Sequence, residues 1–268
     1  MDEHGEHDEH DGRRVSRRTA LAGFAGLGAL LAACRADGGA APAGASPAQR
    51  ATPAGTAAGA TAAESTAAGD AAALFDGANT CALTPETTAG PYYFDVDRVR
   101  GDIREDRQGV PLRLAIRVQD GETCRPIPDA VVEIWHCDAE GAYSGVGPAA
   151  GGGGAGGSDT FLRGAQVTGA DGIVRFTTVY PGFYQGRCVH IHAMVHLDDA
   201  RVLTTQMMFP EEINEAVLAA EPYAGRSGYL RNADDSIYQD TMLLKVTGDG
   251  DGYLGVINFA VDSGRDRG

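Results

Sequence analysis

In the second half of the chain, apolar side chains recur at every second position in short runs separated by turn residues. Leu112, Leu114, Ile116 and Val118 alternate with Arg113, Ala115, Arg117 and Gln119, the two-residue period of a half-buried strand. Residues 130–137 hold Val131, Val132, Ile134 and Trp135, and Asp171-Gly172 turns the chain into another strand-like run over 173–179. Residues 189–195 alternate again, and runs at 242–246 and 253–261 flank the turn Gly248-Asp249-Gly250-Asp251-Gly252. That turn lacks the twelve-residue spacing and terminal Glu of a calcium loop. Helix signals are confined to 210–220, where Pro210 is placed to open a short helix. Many short strands with frequent turns specify an all-β chain, an antiparallel β-sandwich with long loops and little helix.

The first third of the chain has a different texture. Arg17-Arg18 precedes an apolar run over 20–33, the pattern of a signal peptide, and the arginine pair points to the twin-arginine export route. Leu31-Ala32-Ala33-Cys34 reads as a lipobox, which would leave a lipidated Cys34 holding the protein at a membrane surface. The alternative is a cleaved signal with an incidental cysteine. The expected organisation is a signal segment at 1–34, a tether at 35–75, a sandwich domain at 76–263 and a tail at 264–268. The tether is mostly Ala, Gly, Pro, Ser and Thr, too poor in apolar area to offset chain entropy. Residues 145–158 are also glycine-rich but lack the Lys-Ser/Thr of a phosphate loop, so a surface loop is expected there. The formal charge of −15 argues against a nucleic-acid partner. Loss of residues 1–33 would remove four arginines and six acids and leave −13.

The sharpest local feature is His190-Ile191-His192. Residues two apart on a strand share a face and lie about 7 Å apart along it, so both imidazoles can converge on one ion. A pair of structurally bonded histidines has the same spacing, and spacing alone leaves both readings open. His196 shares that side but sits beside Asp198 and Asp199 and is expected to face solvent. Upstream, Pro181-Gly182 forms a turn that delivers Tyr184 towards this strand, and Gly141 leaves Tyr143 on a loop.

The ordered segments Thr84 to Tyr93, Val131 to Tyr143, Tyr180 to His192 and Thr204-Thr205-Gln206-Met207 together resemble the intradiol ring-cleavage dioxygenases, and with the arginine pair an exported member of them. The resemblance runs from Thr84 to about Tyr238. It implies a prealbumin-like sandwich core and Fe(III) bound by Tyr143, Tyr184, His190 and His192. It further implies a second-sphere arginine at Arg187 and a hydrogen-bonding glutamine at Gln206. Trp135, Pro91 and Tyr92 would build walls. The implied substrates are a small aromatic diol and O2, with ring opening between the two hydroxylated carbons to a muconate-type diacid. The short interval from Cys81 to Pro111 leaves no room for the helical amino-terminal domain of catechol 1,2-dioxygenases, so the choice of catechol stays open.

The donor types suit that chemistry. Holding a phenol ionised at pH 7 costs about 4 kcal/mol, which a trivalent cation overcomes by direct bonding. Hard anionic oxygen favours Fe(III) over softer metals. Two other readings stand beside this one: a non-catalytic prealbumin-like surface domain, and a zinc hydrolase using both histidines and a carboxylate. Cys81, Cys124, Cys137 and Cys188 allow three full pairings in an oxidising compartment. Cys81–Cys124 is favoured, with free buried thiols as the alternative.

Overall fold

The computed structural model describes residues 73–78, 81–146, 158–198 and 200–264. The signal segment with Cys34, the tether up to residue 72, most of the glycine-rich loop and residues 265–268 lie outside the described residues. Among those described, no helix is long and apolar enough to cross a membrane.

Two four-stranded sheets make the fold. One contains β1 (Pro111–Asp120), β4 (Ile173–Val179), β7 (Lys245–Asp249) and β8 (Gly252–Val261) in the order β4-β1-β8-β7. The other contains β2 (Val131–Trp135), β3 (Arg163–Val167), β5 (His190–Leu197) and β6 (Ala200–Met208) in the order β3-β2-β5-β6. Leu112, Leu114, Ile116 and Val118 of β1 share one buried cluster with Val132 and Ile134 of β2 and Ile191, Ala193 and Val195 of β5. That cluster is the sandwich core, and alternation puts the remaining side chains on the outer faces.

The expected all-β sandwich is therefore present, with one pairing that differs from a purely antiparallel arrangement. β1 and β8 run parallel, Leu112 opposite Tyr253 through Asp120 opposite Val261. Parallel neighbours need a long crossover, and the whole of the other sheet is strung between these two. The run expected at 242–246 starts later, at Lys245. Before it, Leu243 bridges to Met208 and the Leu244 N–H donates to the Met208 carbonyl, so that stretch belongs to the edge of the other sheet. The α-helix α1 (Glu211–Leu218) follows Pro210 and buries Asn214 and Val217. Glu211 and Glu212 lie in its first turn, where negative charge meets the positive end of the helix dipole.

One irregular segment matters most for the site. Residues 84–104 cross the outer face of the sheet β3-β2-β5-β6. At one end the Thr87 N–H donates to the Thr204 carbonyl of edge strand β6. At the other, Arg100 N–H donates to Ala165 O and Ala165 N–H donates to Arg98 O, closing edge strand β3. The segment thus covers both exposed edges of the sheet and roofs the face between them. Cys81–Cys124 staples its start to the turn after β1, as favoured from sequence, while Cys137 and Cys188 stay free and buried.

Candidate metal centre

Four side chains meet under this roof. His190 and His192 project from β5 on the roofed face, with Nε2 atoms 3.2 Å apart. The His190 Nδ1–H donates to the Cys188 carbonyl at 2.8 Å, which leaves the Nε2 lone pair of the neutral ring available. Tyr143 and Tyr184 arrive on two loops packed back to back. In the first, the Asp138 Oδ1 accepts the N–H groups of Glu140 and Ala142, an Asx-type turn. Gly141 takes φ 83°, and a Cβ there would lie 2.3 Å from the Phe183 carbonyl. In the second, a Cβ on Gly182 would lie 2.4 Å from the Ala139 carbonyl. Only glycine permits this approach. Arg226 ties the loops together, donating from Nη1 to Ala139 O at 3.1 Å and from Nη2 to Phe183 O at 2.7 Å.

The four rings close a circuit. Centroids lie 5.9 Å apart for Tyr143–Tyr184, 5.5 Å for Tyr184–His190, 4.8 Å for His190–His192 and 6.3 Å for Tyr143–His192. The Tyr143 hydroxyl and the His192 Nδ1 are buried without a hydrogen-bond partner among the described residues. Such orphaned groups are costly, and a bound cation would occupy the phenol oxygen. Burial pushes both phenols up, and it pushes His190 down to about 3 and His192 well below its ordinary value. In the metal-free protein these are four neutral donors, two of them able to become anionic oxygens. That set fits a hard, highly charged cation. The buried Cys137 thiol packs in the same cluster, but burial pushes it up to about 12, so it offers no thiolate.

Around the donors the expected neighbours assemble. Arg187 donates from Nη1 to the Tyr184 hydroxyl at 3.2 Å and from Nη2 to Gln206 Oε1 at 2.5 Å. The fully buried Gln206 donates in turn to the Thr88 carbonyl of the roof. Trp135 stacks on His192 at 5.0 Å and 7°, and Tyr92 stacks on Tyr143 at 4.6 Å. Both are walls. Pro91, between Gly90 and Tyr92, is exposed. Gly90 also comes close to a donor, at φ 71°, where a Cβ would meet His192 Cε1 at 3.2 Å.

Two placements depart from the sequence expectation. His196 does not face solvent; its side chain is 11% exposed and Nε2 lies 3.7 Å from Glu133 Oε2. The roof is responsible, because Tyr93 donates its hydroxyl to that same carboxylate. Asp235 was not foreseen at all. Its Oδ2 accepts from Arg187 Nε at 2.8 Å and from the Cys188 N–H at 3.0 Å, orienting the guanidinium. Burial pushes this carboxyl up, but backbone N–H groups of Cys188 and Ile237 and the guanidinium outweigh it and hold it at about 2.

Comparison with known proteins shows the family. Residues 88–224 match the family model described as Dioxygenase. The solved intradiol ring-cleavage dioxygenase of Tetranychus urticae is 32% identical, with a TM-score of 0.64 covering 68% of this chain and 95% of that one. The chain belongs to the intradiol ring-cleavage dioxygenase family. A further family member, the dioxygenase domain of a carbohydrate-binding fusion from Streptomyces sp. SirexAA-E, is 30% identical with a TM-score of 0.53, covering 67% of this chain and 98% of that domain. Among curated members, catechol 1,2-dioxygenase 1 of Acinetobacter lwoffii is 35% identical over 146 residues, 46% of this chain and 45% of that protein. The chain thus spans about half the length of the curated relatives it matches.

Proposed function

We propose that this chain is a non-haem Fe(III) dioxygenase that opens a catechol-type ring between its two hydroxylated carbons to give a muconate-type diacid. Tyr143, Tyr184, His190 and His192 would hold the iron. When bound, ferric iron would supply Lewis-acid chemistry, drawing electron density from the chelated diol so that a ring carbon becomes reactive to O2.

The protein's own residues divide the remaining work. Tyr143 is 1% exposed and stacked on Tyr92, so its role is to stay in place. Tyr184 is only partly buried and its hydroxyl already sits on Arg187. Its phenol oxygen, anionic once the cation is bound, would therefore be the group that swings aside and accepts one of the two protons of the incoming diol, while hydroxide takes the other, so that no separate side-chain base is needed. Arg187, held by Asp235 and Gln206, keeps a fixed positive charge beside that position and stabilises negative charge developing on the substrate. Trp135 and Gly90 pack against His192 and Tyr92 against both phenol rings, and together they exclude water.

The observation that carries this reading is the closed circuit of two phenols and two imidazoles with an unpartnered, buried phenol oxygen. Reconstitution with ferric iron should produce a visible phenolate charge-transfer band, and an oxygen electrode should register uptake with catechol, hydroxyquinol or protocatechuate. Protein that stays colourless sinks the ligand assignment. Coloured protein without uptake on any of these diols favours a non-catalytic binding domain. The Cys81–Cys124 disulfide supports an oxidising destination, in keeping with the proposed twin-arginine export and attachment through Cys34.

A further inference from the structure

Arg163 is the largest charged side chain in the interior, 1% exposed at the start of β3. It lies opposite Trp135 in the β2–β3 ladder and so on the roofed face. Its Nε donates to Ser144 Oγ at 2.8 Å, and its Nη2 donates to the Tyr92 carbonyl at 2.7 Å and the Ser144 carbonyl at 3.0 Å. Ser144 Oγ in turn donates to the Phe161 carbonyl at 2.7 Å. The guanidinium lies over the Phe94 ring at 4.1 Å and faces the Tyr143 ring at 5.9 Å. All three acceptors are neutral oxygens, and Nη1 has no partner among the described residues. A buried cation held only by neutral acceptors is expensive. The chain accepts a second cost beside it, since Leu162 takes φ 56°, a conformation that bulky residues rarely adopt.

These contacts have one geometric effect. Tyr92 and Tyr143 stack on each other, and the guanidinium grips the carbonyl of Tyr92 and both oxygens of Ser144, the residue after Tyr143. Roof and ligand loop are thereby fastened at a single point. We propose that Arg163 is a positioning residue for the metal centre: it locks the roof to the Tyr143 loop and fixes the Tyr143 phenol oxygen in the donor circuit, with its positive charge facing that ring. Lysine cannot reproduce this, because a point ammonium cannot bridge Tyr92 and Ser144 in the planar fork geometry of arginine. The inference rests on the ligand set proposed above.

The test uses iron-loaded protein and reads the metal bond rather than turnover. Arg163→Met is expected to shift the phenolate charge-transfer band and to weaken iron retention at least tenfold in competition with a chelator. Arg163→Lys is expected to move both readouts in the same direction by less, and it carries the test alone if Arg163→Met does not fold. Tyr180→Phe, which removes a buried hydroxyl bonded to Asn214 away from the donors, is the structural control and should lower Tm with the band unmoved. Unchanged band and unchanged iron retention in the folded Arg163 variants, with wild-type protein coloured, overturn the proposal. Colourless wild-type protein overturns the ligand set itself, a separate outcome.

Discussion

The two sheets contribute equally to one core and differ entirely on their outer faces. On β4-β1-β8-β7 that face carries Arg113, Arg117 and Arg175 beside Ala115, Ile173 and Val256, with Phe75 packed over part of it. On β3-β2-β5-β6 the equivalent positions hold Trp135, His190, His192, Gln206 and Arg163, and none is more than 2% exposed. A sheet with one wet face needs only one apolar side to be stable. A sheet that keeps imidazoles and a guanidinium dry needs a second cover whose polar groups satisfy them. Residues 84–104 are that cover. The comparison separates stability, which the shared core supplies, from the proposed metal affinity, which would come from the roofed face.

That separation is open to direct attack. His192→Ala should abolish iron retention, read by metal analysis, while Phe176→Ala in the shared core should cost about 3–5 kcal/mol of stability by denaturant melts with the visible band in place. A Phe176 variant that loses the band, or a His192 variant that keeps its iron, would erase the distinction. Reducing Cys81–Cys124, which closes a separation of 43 residues, should cost about 4 kcal/mol and loosen the roof before the sheets, as read by hydrogen exchange at residues 84–104.

Acid should act chiefly through the roofed sheet and its flank. Burial holds His136 at about 4 and His190 at about 3, below their unfolded values. Between about pH 6.5 and those values the unfolded chain binds more protons, so stability is full above pH 6.5 and falls as pH drops through that window. For fully buried His136 alone the loss is about 3 kcal/mol. Melts of metal-free protein that stay flat from pH 7 to pH 4 would contradict this. Gly90→Ala should cost about 1–2 kcal/mol from its positive φ and push His192 aside, seen as a band shift. Arg113→Ala, on the open face and paired with Asp249, should change stability by less than about 1 kcal/mol.

What sequence could show follows the same division. β1 and β5 are legible because one face of each enters the core and the alternation is clean. The meeting of the four proposed ligands is legible because they are concentrated in two short motifs, Tyr143 after the Trp135 strand and Tyr184 to His192. β3 was not legible: Arg163, Gly164 and Gln166 carry no period, and the strand exists because β2 and residues 98–100 pair with both its edges. Asp235 and Arg163 were invisible for a related reason. Each works through backbone carbonyls or N–H groups of chain-distant residues, and such partners leave no trace in local pattern. The burial of His196 depended on Tyr93, forty residues before Glu133, and spacing along β5 could not report it.

The sulfur staple at Cys81 also sets where mechanical load would travel. A pull on the chain from its leading end meets Phe75 seated on the open sheet first, then the covalent link into the hairpin at Cys124. Force is shunted into β1 before it reaches Thr84, and the lid over the histidines bears none of it. Were the chain held by the tether expected from its sequence, a tug on it would leave the proposed metal centre unchanged in shape.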